Sequence, residues 1–124
     1  MSGIRMVFVV ILGLFLLSAC ASLMSTPAEK QLDNGVNRYE EGDYKSSLTS
    51  LQSALDMGLK IKDEQVRAHK YLAFIYCISE REKLCRDEFK KAFEIDSNFD
   101  LQPAEAGHPV WGPVFRSVKA KFTK

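Results

Sequence analysis

The sequence has little that would support a metal, a nucleotide or a nucleic acid. Its two histidines, His69 and His108, have no second histidine or cysteine at metal-ligand spacing. No glycine-rich phosphate-binding loop is present. The 17 Lys and Arg residues are balanced by 16 Asp and Glu residues, so charge does not favour binding to DNA or RNA. We therefore expect no cofactor, no metal and no nucleic-acid partner, and we expect that the protein is not an enzyme.

The sequence also lacks an apolar run long enough to cross a membrane. Its longest run, residues 6–17, has 12 residues. As a helix it would rise about 18 Å, whereas a bilayer core is roughly 30 Å thick. Arg5 precedes the run and is the only charged residue before Glu29. A basic residue followed by a short apolar run is typical of a signal peptide for secretion.

Small residues lead into a cysteine at the end of this run, in the order Leu17, Ser18, Ala19 and Cys20. This tetrapeptide resembles a bacterial lipobox. The resemblance implies a signal peptide over residues 1–19, cleavage between Ala19 and Cys20, and attachment of acyl chains such as palmitate to Cys20. Two or three acyl chains hold a protein firmly at a membrane, while one holds it only marginally. The alternative is an ordinary signal peptide that ends near a cysteine.

Ala21 follows the cysteine. In lipoproteins of bacteria with two membranes, an aspartate at this position favours retention at the inner membrane. The resemblance therefore implies a protein anchored in the inner leaflet of the outer membrane and facing the periplasm. Residues 20–27 are the expected lipidated N-terminus and tether. The chain after cleavage has no net formal charge, so the expected membrane attachment is through the lipid.

The spacing of apolar residues predicts an all-α domain over residues 28–124. Leu32, Val36 and Tyr39 lie at i, i+4 and i+7, on one face of a helix. A second helix is expected to end at Met57, and two more are expected over residues 64–79 and 83–95. The last predicted helix carries Val114, Phe115, Val118 and Phe122 on one side. No sustained alternation of apolar and polar residues is present, so we expect no sheet.

The first four predicted helices form two similar pairs. A shift of 38 residues superimposes small residues on small ones and large apolar residues on large ones. Small residues fit where two helices of a hairpin approach closely, and large ones fill the space beside them. The superimposed residues are Gly35 with Ala73, Leu51 with Phe89, and Ala54 with Ala92.

This pattern resembles tetratricopeptide repeats. It departs from them at Gln31, where the family favours an aromatic residue or leucine, and in a period that exceeds the family's usual length of about 34 residues. The resemblance implies two helical hairpins, followed by a capping helix, and a concave groove that binds a partner. The expected groove residues, some of which could instead pack between the repeats, are Leu32, Val36, Tyr39, Lys70 and Phe74.

The C-terminal residues 99–124 are interrupted by proline and glycine before the last predicted helix. The end of a helical repeat array has to be covered. We therefore expect Trp111 and Phe115 to cap the second hairpin. The alternative is that they contact a partner.

Two cysteines remain after Cys20. Cys77 ends one predicted helix and Cys85 begins the next, so they face each other across the turn of an antiparallel hairpin, within reach of a disulfide. An exported protein meets an oxidising compartment, where disulfides persist. A disulfide that closes a loop this short would stabilise the fold by about 2 kcal/mol. The alternative is a pair of buried free thiols.

The sequence as a whole resembles the accessory lipoproteins of type VI secretion, the TssQ family. The resemblance is carried by the lipobox, the helical pairs, the segment from Tyr76 to Phe89 and, most specifically, residues 103–116. It implies a protein-interaction component, or scaffold, of a cell-envelope machine. Its partners would be envelope proteins.

Two alternatives remain open at this point. Lipoproteins of type IV pili and of outer-membrane assembly belong to the same functional class, although they generally carry more repeats. An envelope lipoprotein that binds peptidoglycan or another glycan belongs to a different class. Glu105 and His108, close to Trp111 in sequence, are the candidate residues for that second class.

Overall fold

The structure is a computed structural model and describes residues 24–123. The predicted signal peptide, the cleavage site between Ala19 and Cys20, the lipidation of Cys20 and the first part of the tether lie outside these residues. The described residues form six helices and no strand, which confirms the all-α prediction. The helices are α1 (Pro27–Glu40), α2 (Tyr44–Met57), α3 (Lys62–Ile78), α4 (Glu82–Ile95), α5 (Pro103–Ala106) and α6 (Trp111–Phe122). None of these helices has the length and apolar character needed to span a bilayer.

Local signals in the sequence account for where the first hairpin begins and turns. Thr26 and Glu29 form a reciprocal capping box at the start of α1, with Pro27 in its first turn. Gly42 has a φ of 81°, a conformation that favours glycine, and ends the first helical segment. Asp43 then caps α2 by accepting a hydrogen bond from the backbone N–H of Ser46.

The first hairpin depends on a close approach of α1 and α2. A Cβ atom added to Gly35 would lie 2.7 Å from the side chain of Leu51. Both residues are buried, and the hydroxyl of Ser47 donates a hydrogen bond of 2.6 Å to the carbonyl oxygen of Gly35. The sequence pattern predicted a small residue against a large one here, and the structure places them in contact.

The second hairpin is tied at the equivalent position by a different bond. A shift of 38 residues relates Ser47 to Cys85, and both are fully buried. Whereas Ser47 binds the backbone of α1, Cys85 forms a disulfide with Cys77 of α3, and their Cα atoms lie 5.1 Å apart. Of the two alternatives for these cysteines, the structure therefore has the disulfide.

The C-terminal helix α6 covers the end of the second hairpin, as expected of a capping helix. It packs along α4, and its Phe115 is buried among three other aromatic rings. The ring centroids of Phe89, Phe93 and Phe99 lie 5.3, 5.5 and 5.7 Å from that of Phe115. Trp111 at the start of α6 is buried as well, so neither of the two cap residues is exposed to a partner.

We expect the substitution Gly35→Ala to lower the free energy of unfolding by about 1 kcal/mol. Alanine gains about 1 kcal/mol of helix propensity, but overpacking against Leu51 costs about 1–3 kcal/mol. Urea unfolding followed by circular dichroism measures the difference. In the Leu51→Ala background the same substitution should be neutral or stabilising. An equal loss in both backgrounds would contradict the close approach.

We expect the double substitution Cys77→Ala and Cys85→Ala to lower the free energy of unfolding by about 2 kcal/mol, because the unfolded chain regains the entropy of the closed loop. Denaturant unfolding with and without a thiol reductant is the measurement. The reductant should destabilise the unaltered protein by the same amount and leave the double variant unchanged. A reductant without effect on the unaltered protein would argue against the bond.

Candidate functional site

The inner face of α1 and α3, where the sequence suggested a partner groove, is largely closed in the structure. Leu32, Val36 and Phe74 have only 1%, 4% and 1% of their surface exposed and belong to the hydrophobic core. Only Tyr39 and Lys70 of the expected groove residues reach the surface in part. The expectation of an open groove lined by all five residues is therefore corrected. An apolar stripe shows that one side of a helix is covered, and here the covering partner belongs to the same chain.

Residues 102–111, the segment around α5, cover the inner face of the second hairpin. Trp111 stacks on Phe74 with ring centroids 4.1 Å apart, and His108 stacks on Trp111 at 3.4 Å. The indole N–H of Trp111 donates a hydrogen bond of 2.8 Å to the carbonyl oxygen of Glu105. These contacts hold the segment against α3 as one unit.

An ion pair fastens the same segment to α3. The Nζ atom of Lys70 lies 2.9 Å from Oε2 of Glu105, and both side chains are largely buried. The ammonium group is also 4.9 Å from the ring centroid of Tyr71, within the range of a cation–π interaction. Lys70 therefore takes part in the closure of the inner face, although it was expected to line an open groove.

The two residues proposed for a glycan-binding or catalytic site have structural partners. Glu105 uses its second carboxylate oxygen, Oε1, to accept a hydrogen bond from the backbone N–H of Gln102. His108 uses Nδ1 to accept hydrogen bonds from the backbone N–H groups of Val110 and Trp111, at 3.1 and 3.5 Å. The contact of Glu105 caps the start of α5, and the contacts of His108 shape the turn between α5 and α6.

A polar cavity of about 420 Å³ remains open beside Lys70. Charged groups of both signs surround it, with Arg67 and Lys70 on α3 and the carboxylates on α3 and the segment after α4. The acidic residues that line it are Asp63, Asp96, Asp100 and Glu105. Across residues 24–123, no group of His, Cys, Asp or Glu side chains converges as a metal site requires.

Two ion pairs set the charge at the edges of this cavity. Nζ of Lys119 on α6 lies 2.8 Å from Oδ2 of Asp100. The hydrogen bond that Lys119 donates holds the pKa of Asp100 below its ordinary range. A guanidinium nitrogen of Arg67 lies 3.6 Å from Oδ1 of Asp33 on α1, and 45% of the Arg67 side chain remains exposed. Arg67 was missed as a candidate from the sequence, although Asp63, Arg67 and Lys70 lie at i, i+4 and i+7 and so mark the polar face of α3.

A cluster of tyrosines borders Lys70 on the side of the first hairpin. The ring of Tyr39 lies 5.0 Å from that of Tyr71 and 5.6 Å from that of Tyr44, measured between centroids. Burial, together with the neighbouring Tyr44 and Tyr71, raises the pKa of Tyr39 to about 12. Tyr39 therefore keeps its proton at physiological pH and presents a neutral hydroxyl.

His69 and Glu88 form a pair of titratable groups that joins α3 to α4. Nδ1 of His69 lies 2.6 Å from Oε2 of Glu88, and Nζ of Lys91 lies 3.1 Å from the other carboxylate oxygen. Burial acts to raise the pKa of Glu88, but the hydrogen bonds from His69 and Lys91 outweigh it and the pKa is lowered. Local sequence patterns do not indicate this pair, because its members lie on different helices.

Comparisons of this chain with models of protein families, with curated proteins and with solved structures found no match.

The substitution Glu88→Gln should flatten the pH dependence of stability in acid. Since the folded-state pKa of Glu88 lies below the ordinary value of 4.5, the carboxylate stabilises the fold above pH 4.5, and this contribution is lost as the pH falls through the lowered value. At neutral pH the variant should lose about 2 kcal/mol, the scale of a hydrogen bond to a charged group.

Denaturant unfolding from pH 7 down to pH 3 measures this effect. Glu94→Gln is a matched control on the same helix, because Glu94 is exposed and lies 3.9 Å from Nζ of Lys90, its one ion-pair partner among residues 24–123. Asp43 and Asp100, whose pKa values are also lowered, contribute equally to all three proteins. Identical acid profiles for the two variants would contradict the role of Glu88.

Proposed function

We propose that this protein is an outer-membrane lipoprotein that faces the periplasm and acts as a non-enzymatic protein-interaction component of a cell-envelope machine. The machine proposed is the type VI secretion system, in which the chain would be an accessory. The single observation that best supports this proposal is the disulfide-tied helical body directly behind a lipobox-like sequence. Disulfides persist in compartments outside the cytoplasm, and a secretory lipoprotein signal would deliver the chain to such a compartment.

The surface proposed for protein binding is the open part of the inner face. It combines the polar cavity beside Lys70 with the partly exposed rings of Tyr39 and Tyr71 and the exposed guanidinium of Arg67. Tyrosine and arginine are enriched at the energetically important centres of protein interfaces. Charges of both signs around the cavity would favour a partner with a polar, mixed-charge segment.

The C-terminal residues that carry the resemblance to type VI accessory lipoproteins also border this surface. Residues 103–116, which carry the most specific part of the resemblance, form the wall that closes the second hairpin through Trp111 and Glu105. A partner that binds the inner face would contact this wall as well as α3. The proposed specificity for one machine therefore rests on a segment that generic helical repeats do not contain.

The test is affinity capture of a C-terminally tagged chain from native envelopes after mild crosslinking, followed by mass spectrometry. We expect components of the type VI membrane complex, with crosslinks near Lys70. Arg67→Glu should reduce their recovery several-fold because it reverses a charge on the proposed surface. Arg86→Glu is the matched control, since Arg86 is 40% exposed and lies on the outer helix α4.

Other outcomes would redirect or overturn the proposal. Pilus or outer-membrane assembly components in place of secretion components would keep the interaction role and replace the machine. Glycan fragments alone would favour an envelope-binding role. Deletion of the gene with no effect on effector secretion or interbacterial killing would count against the secretion system, and equal recovery with both arginine variants would exclude the inner face.

A further inference from the structure

Exposed apolar side chains gather at one end of the helical body. Within the described residues, six large apolar side chains are exposed, and three of them are Met24, Met57 and Ile61, at 72%, 57% and 52%. Met24 precedes α1, Met57 ends α2 and Ile61 precedes α3. Because the helices alternate in direction, these positions meet at the same end of the hairpins.

Two of these side chains line a cavity of about 720 Å³, the surface that we call the tether-side surface. It consists of residues 26–29, Met57, Gly58, Lys60 and Ile61. The carboxylate of Glu29 accepts a hydrogen bond from the backbone N–H of Thr26, and the hydroxyl of Thr26 accepts one from Glu29. These polar groups are therefore already paired, whereas more than half of the surface of Met57 and of Ile61 is not covered by the described residues.

The length of the tether limits what can cover this surface. Cys20 precedes Thr26, the first residue of the tether-side surface, by six residues, which span at most about 22 Å when fully extended. If Cys20 carries acyl chains, as the proposed function holds, the near edge of the tether-side surface stays within that distance of the lipid headgroups. The bilayer is then an apolar phase within reach of these side chains.

The charges around the surface are compatible with a bilayer. Lys60 and Lys62 are exposed on either side of Ile61, and their long side chains can reach headgroup phosphates while Ile61 lies deeper. Asp56 and Asp63 are exposed nearby and Glu29 lines the cavity, so these two lysines and three carboxylates leave a net charge of only −1. Attraction to the membrane would therefore come from burial of apolar area and not from net charge.

We propose that the tether-side surface docks on the bilayer that holds the acyl chains of Cys20, with Met57 and Ile61 inserted at the boundary between headgroups and acyl chains. This inference rests on the lipid anchor in the proposed function. Docking through one end of the hairpins stands the helices on the membrane. The inner face with Lys70 then stands upright on the membrane. It faces other proteins that are anchored in the same bilayer.

The test uses the full-length chain made with its own signal, purified in detergent, checked by mass spectrometry for acyl chains on Cys20, and reconstituted into vesicles of phosphatidylethanolamine and phosphatidylglycerol. The variant Ile61→Trp provides a fluorescent probe on the surface. Leu84→Trp is the matched control, because Leu84 is 40% exposed and lies at the far end of the body. The signal of the buried Trp111 in the unaltered protein is subtracted from both.

We expect brominated phospholipids to quench the tryptophan fluorescence of the Ile61→Trp variant several-fold more than that of the Leu84→Trp variant. Only the emission of the Ile61→Trp variant should shift to the blue when vesicles bind. Equal quenching in an acylated chain overturns the docking and leaves the anchor in place. A chain without acyl groups overturns the anchor and, with it, the docking. A blue shift that depends on protein concentration before vesicles are added shows that a second copy covers the surface, and this also overturns the proposal.

The unaltered chain supplies a second measurement if a tryptophan variant does not fold. Peroxide oxidises methionine according to its exposure, and Met57 is exposed in the structure. In the acylated, vesicle-bound chain, docking should slow the oxidation of Met57 several-fold relative to Met57 of a chain that was made without the signal and carries no acyl groups, measured in the same suspension. A similar rate for both would overturn the proposal.

Discussion

The stacking of Trp111 on Phe74 is the contact on which the inner face of this protein depends. It removes two large rings from water, and the ion pair between Lys70 and Glu105 holds the neighbouring backbone in place. Because the chain is held against α3 at this point, α6 returns to pack along α4 and covers the end of the array. The polar cavity beside Lys70 is the part of the inner face that this closure leaves open.

Each hairpin also satisfies polar or reactive groups that its close packing buries. Ser47 donates to the carbonyl oxygen of Gly35, and at the equivalent position Cys85 is bonded to Cys77. Glu88 is buried as a carboxylate because His69 and Lys91 bind it. A buried polar group without a partner costs about 1–3 kcal/mol, and these contacts between paired helices avoid that cost.

Local patterns in the sequence were sufficient for the main helices and insufficient for the site. The predicted ends of the third and fourth helices agree with α3 and α4 to within two residues, because apolar periodicity and turn residues act over a few positions. The short helix α5 was not predicted, since four residues carry no periodic stripe. Leu32, Val36 and Phe74 were assigned to an open groove, because periodicity shows that a face is covered without showing what covers it.

The sequence by itself determined the order of the helices, the positions of their turns, and the placement of two cysteines on either side of one turn. Only the tertiary structure decided that the C-terminal segment closes over α3, that His69 meets Glu88, and that Met57 and Ile61 share one exposed end. The reason is physical. Helix and turn signals act between residues a few positions apart, whereas these contacts join residues brought together by the packing of the whole chain.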